Sequence, residues 1–277
     1  MTENAHPIRN ITFEINPETY DSVIDSVRTY IDSFRSDDAF IIQNLTLKKE
    51  HIQRVVTFSE MLARSLNCSE TAVMIAQISA WLHDIGRFEQ FLTWHTFNDS
   101  RSVDHAVLAL DIIHKKQWLQ NLNPEAVPWI LAAVENHNKR SIAKNTPPEI
   151  LFFSQLLRDA DKLDIMDMAV AEYGSKNKKK NSAFTLGLEN SLQVSAPIIE
   201  AIRSGQLPDK KDLLTVTDFK LLQMSWVFDL HFRKSYERVN QKQFLKQIFE
   251  TLPKSDLIFE AYRIARIHIE NQLIHNR

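Results

Sequence analysis

Glycine is almost missing from this chain, with 4 in 277 residues. Tight turns between strands draw on glycine for positive φ, so this scarcity argues against a strand-rich fold and for a nearly all-α protein with short polar connections. Cysteine is rarer still. The single Cys68 rules out an intramolecular disulfide, which suits a reducing compartment and an expected cytoplasmic location. No charge of one sign dominates. The 33 basic and 35 acidic residues leave a net −2, without the electrostatic footprint of a partner for polymeric nucleic acid or an anionic membrane. Long hydrophobic runs are absent too: none approaches the roughly 20 apolar residues that span a bilayer. Residues 1–12 are polar and lack an apolar signal core.

What is present is helical periodicity. Hydrophobic residues make up 44% of the chain, enough for a sizeable core. Pro17 opens a first expected helix over about 18–34, with Tyr20, Val23, Ile24, Val27, Ile31 and Phe34 at helical spacing. A second is expected over 47–66 behind Thr46, with His51, Val55, Phe58 and Leu62 on its face. A third starts behind Ser69 and runs through Ile75, Ile78 and Leu82, with Gly86 as its stop signal. Residues 91–101 read as a loop, with Asn98, Asp99 and Ser100 as turn formers. Later helices are expected over about 103–116, from near Pro124 through His137, and from Pro147–Pro148 onward. The four lysines within 174–181 mark an exposed connection, and 188–277 stay helical, with segments at 218–236 and 255–274. No composition shift cuts the chain. It reads as one domain (1–277), with a helical core over about 45–172 and a C-terminal extension over about 185–277.

The doublet His83-Asp84 closes the apolar run Ala80-Trp81-Leu82. Such polar groups are costly to bury unless something satisfies them. Other metal-capable side chains stand in line with apolar stripes: His51, His105, His137 and Asp161. Residues in register with a buried stripe point inward, so packed helices bring these groups together. Imidazole with carboxylate and no thiolate suits Mn, Fe, Co, Ni or Zn, with Mg also compatible. Such a centre suits hydrolysis when it keeps open positions for water and substrate.

The order His51, His83-Asp84, Asp161, followed by Lys162-Leu163-Asp164, resembles the HD superfamily of metal-dependent phosphohydrolases over about residues 51–168. The resemblance implies an all-α HD-type helical bundle in which His51, His83, Asp84 and Asp161 ligate a divalent metal. His105 and His137 fall where some members hold a second metal and others contact the substrate phosphate. Several members carry a glutamate three or four residues after the doublet. Here Arg87 and Phe88 stand there, with Glu89 one further, so Arg87 becomes a candidate for a phosphate oxygen. The expected activity is hydrolysis of a phosphate ester in a nucleotide or small metabolite, with His105, His137, Arg87 and Lys162 as catalytic candidates. Arg54, Lys139, Arg140 and Arg158 are further basic candidates, and Asp159 is a rival to Asp161. A di-iron oxygenase and a nucleotide-binding domain without turnover are the alternatives. A homodimer is left open.

Overall fold

The structure, a computed structural model, describes residues 8, 11–174 and 187–275. The lysine-rich stretch after Gly174 lies outside the described residues. Among the described residues there is no strand, only an isolated bridge between Glu189 and Thr215. The all-α expectation therefore holds.

The chain divides into two compact units, Met1–Asp161 and Lys162–Arg277. The boundary falls inside one continuous helix, α7 (Pro148–Gly174). A division inside a helix carries no linker composition, which is why the sequence shows no shift there.

The first unit begins with α1 (Pro17–Ser33), capped by Asn16, whose side chain accepts from Glu18 N–H. Next comes α2 (Ala39–Ser65), which starts eight residues before the expected position. Asp38 supplies the cap there, accepting from the Phe40 and Ile41 N–H groups, so Thr46 lies inside the helix. Helix α3 (Glu70–Leu82) starts behind Ser69 as expected. It is strongly apolar and packs against α1, α2 and α6 (Ala126–Asn136). Ala72, Val73, Ile75, Ala76, Ile78, Ala80 and Leu82 are all buried. At about 1.5–3 kcal/mol for each large aliphatic side chain, this burial outweighs the cost of carrying a polar doublet inward at its end.

Gly86 does not stop that helix. Leu82 ends it, and Gly86 opens α4 (Gly86–Trp94), so residues 91–94 are helical and the loop begins at His95. Glycine is required at residue 86 by close approach. A Cβ there would lie 2.4 Å from the carbonyl oxygen of His105 and 2.9 Å from Ala109 N. Its absence lets α5 (His105–Lys116) seat its first turn against the doublet. Asp104 caps α5, and the loop before it contains a 3₁₀ turn, Asp99–Arg101.

The second unit contains the end of α7, α8 (Ala196–Arg203), α9 (Val216–Ser225), α10 (Arg233–Gln241), α11 (Phe244–Glu250) and α12 (Asp256–His275). The expected segment 255–274 matches α12, which packs on α8, α9, α10 and α11. The segment 218–236 is instead broken by a 3₁₀ turn, Trp226–Asp229, between α9 and α10.

Substituting Gly86→Ala forces backbone apart at the α4–α5 contact. A loss of about 1–3 kcal/mol is expected in urea unfolding of the metal-free protein. An unchanged midpoint would show that the two helices do not depend on this approach.

Candidate metal centre

Six side chains from five segments of the first unit converge on one buried point. His51 comes from α2, His83 and Asp84 from the turn after α3, His105 from the first turn of α5, His137 from the end of α6, and Asp161 from α7. Only Asp161 is more than marginally exposed. Asp159, its neighbour, is buried but does not join the group.

The six form two sets. In the first, His51 Nε2 lies 3.3 Å from His83 Nε2 and 3.2 Å from Asp161 Oδ1. In the second, His105 Nε2 lies 2.9 Å from His137 Nε2. Asp84 stands between them. Its Oδ2 is 3.4 Å from His51 Nε2, and its Oδ1 is 3.3 Å from His105 Nε2 and 3.8 Å from His137 Nε2.

The second ring nitrogen of His83, His105 and His137 explains the arrangement. His83 Nδ1 donates to Ala80 O at 2.7 Å, and His137 Nδ1 donates to Val134 O at 2.6 Å. Each histidine follows the last residue of its helix and satisfies a carbonyl three residues back, one of the acceptors a helix end leaves open. His105 Nδ1 donates to Asp99 Oδ2 at 2.8 Å. A carbonyl or carboxylate can only accept, so these Nδ1 atoms carry the protons and the Nε2 atoms carry lone pairs. His105 and His137 thus point two lone pairs at each other across 2.9 Å in a buried place. A cation between them turns that repulsion into binding. This is how metal-bound histidines are held, with the remote N–H fixed by an outer acceptor. The residues present therefore fit a divalent metal: His51, His83 and Asp161 on one side, His105 and His137 on the other, with Asp84 offering one oxygen to each.

Residues 49–166 match the family model of the HD domain. The chain carries an HD domain. The superfamily is one of metal-dependent hydrolases, and the buried His/Asp group is compatible with that chemistry. No curated protein and no solved structure matches the chain.

The remaining candidates are not among these six ligands. Lys162 belongs to the second unit, where its Nζ sits 2.7 Å from Asp229 Oδ2. Arg87 Nη1 donates to Asp99 Oδ1, Gln90 Oε1 and the Phe97 carbonyl. Arg158 is buried and donates to the carbonyls of Asn136 and His137, clamping the end of α6 that carries His137. Lys139 pairs with Glu135 and Arg54 with Glu50, both at exposed positions. Glu89 accepts from the Tyr30 hydroxyl at 2.7 Å.

Two residues of the site escape sequence reading. Lys48 lies one turn before His51 on the same face of α2, and its ammonium is 2.7 Å from Asp84 Oδ2. The spacing of three from His51 was the available signal. Asp99 looks like a turn former in sequence, yet it holds the His105 proton. Asn138 ties the two histidine-bearing ends together by donating to Asp104 Oδ1 at 2.8 Å.

Burial holds His83, His105 and His137 below the ordinary histidine range; Arg87 adds to this at His105, and the neighbouring imidazoles at His137. At Asp84 burial acts upward, but Lys48, His83, His51 and Arg87 outweigh it and keep the carboxylate ionised. The histidine shifts have a consequence for stability. The unfolded chain takes up these protons near pH 6.5, whereas the folded chain resists until lower pH. Protons then bind the unfolded state preferentially, so stability is full above about pH 6.5 and falls as the pH drops below it. Thermal melts of metal-free protein should show a falling Tm over that range. A flat Tm would mean the imidazoles are not held neutral.

Proposed function

We propose that this protein is a metal-dependent phosphohydrolase acting on a nucleotide or another small phosphorylated metabolite. The observation that carries the reading is the placement of Asp84, with one carboxylate oxygen toward each histidine pair, 3.4 Å from His51 Nε2 and 3.3 Å from His105 Nε2. Such a bridged pair of positions suits the clamp that two ions make on a displacement at phosphorus. Divalent ions held there would supply Lewis acidity and a nucleophile at neutral pH.

The chain's own groups divide the remaining work. The fixed Nδ1–H donors of His83, His105 and His137 keep their Nε2 atoms free of protons, so these rings act as ligands rather than as acids. Asp161, Lys48, Arg87 and Asp99 have side chains 16%, 12%, 13% and 26% exposed, and they form the accessible edge of the group. Lys48 brings an ammonium to that edge, in line with electrostatic stabilisation of a transferring phosphoryl group. Its three N–H donors suit an anionic oxygen, and its position beside Asp84 puts that oxygen next to the metal ligands. The Phe97 ring lies 5.2 Å from the ammonium.

The test is a screen of purified protein on p-nitrophenyl phosphate and mononucleotides with Mn, Co, Ni, Fe, Mg and Zn. Turnover is expected with at least one metal. Asp84→Ala should abolish metal binding and turnover while leaving the helical circular-dichroism signal. Lys48→Met should weaken inorganic phosphate inhibition about 10–100-fold, the scale of one lost hydrogen bond to a charged group. Two irons per chain with oxygen uptake and no ester hydrolysis would contradict the reading. Tight nucleotide binding without turnover under every metal would contradict it as well.

A further inference from the structure

We infer that Arg87 is a positioning residue for the second metal position, acting through Asp99 on His105. The inference rests on the two-metal reading above. It gives a role to the cation three residues past Asp84.

The geometry is a brace. His105 lies between two carboxylates: Asp84 Oδ1 is 3.3 Å from its Nε2, and Asp99 Oδ2 is 2.8 Å from its Nδ1. One guanidinium reaches both. Arg87 Nη1 donates to Asp99 Oδ1 at 2.8 Å, and Arg87 Nε lies 3.4 Å from Asp84 Oδ1. Gln90, fully buried, completes the frame. Its Oε1 accepts from Arg87 at 2.8 Å, while its Nε2 faces Asp99 Oδ1 at 2.9 Å and the Val103 carbonyl at 2.9 Å. Arg87 Nη1 also donates to the Phe97 carbonyl at 2.7 Å, fixing the loop that carries Asp99.

This frame decides what Arg87 is available for. A guanidinium committed to a carboxylate, an amide and a carbonyl on the protein is anchored, which leaves the phosphate-binding role to Lys48. Removing the Arg87 charge leaves Asp99 without its principal counter-charge. The carboxylate also loses the donor that fixes its place against His105 Nδ1, and the ring loses the orientation that aims Nε2 at the second position. The effect is directional. His105 belongs to the second set of ligands, with His137, and the first set, His51, His83 and Asp161, takes its ligands from α2, α7 and the end of α3.

The experiment is calorimetric titration of the full metal-free chain with Mn2+ alone. Wild type should take up two ions. Arg87→Gln and Asp99→Asn should each weaken the second ion 10–100-fold, the scale seen when an outer partner of a metal-bound histidine is removed, and leave the first within twofold. Arg87→Lys should recover part of the loss. The double variant should bind the second ion no more weakly than the weaker single variant, because both changes break one path. Thermal melts of each metal-free variant check the fold, and the isosteric Asp99→Asn carries the test if Arg87→Gln does not fold. Wild-type affinity at both positions in Asp99→Asn overturns the inference, as does equal weakening of both ions. A wild type that binds one ion or none would overturn the two-metal reading itself.

Discussion

The structure around the HD doublet depends on where three protons sit. His83, His105 and His137 each give the Nδ1 proton to a fixed acceptor, two of them to the carbonyl three residues earlier and one to Asp99. That leaves their Nε2 lone pairs converging in a space without water-like freedom. Buried imidazoles in this state repel one another unless a cation joins them. The site is thus built for an ion before any ion arrives, and the helix ends are its fixtures. Placing a histidine just past the last helical residue answers two needs together, capping an open carbonyl and aiming a ligand.

The packing serves this point. The strongly apolar α3 carries the doublet inward, and its burial offsets the cost of bringing a histidine and an aspartate with it. Gly86 then allows α5 to approach until His105 reaches Asp84. On the far side, Arg158 closes the carbonyls at the end of α6, and Asn138 reaches across to the cap of α5. The frame around the second position is therefore held from both sides, by Arg87 and Gln90 through Asp99 and by Arg158 through the α6 terminus.

The helical class and the six convergent residues were legible in the sequence because both follow from periodicity. A residue in register with a buried stripe faces inward whatever the details of packing. Ser69, Pro17 and Pro148 marked helix starts correctly because their effect is local. What was not legible depends on contacts between distant segments. Gly86 looked like a stop because glycine usually ends helices through positive φ, whereas here it answers a close approach of α5 that no local pattern encodes. Asp99 looked like a turn residue because its partner, His105, belongs to a different element. Lys162 and Arg87 looked like phosphate contacts because a basic residue near a metal motif invites that reading. The structure pairs them with Asp229 and Asp99. The early start of α2 at Ala39 was hidden by the competing cap at Thr46.

The central claim is that two cation positions share Asp84. Anomalous X-ray diffraction from crystals of the full chain grown with Mn2+ tests it most directly. The account predicts two peaks, one among His51, His83 and Asp161 and one between His105 and His137, with an Asp84 carboxylate oxygen beside each. A map with no peak at these residues, or with its peaks elsewhere in the molecule, would contradict it.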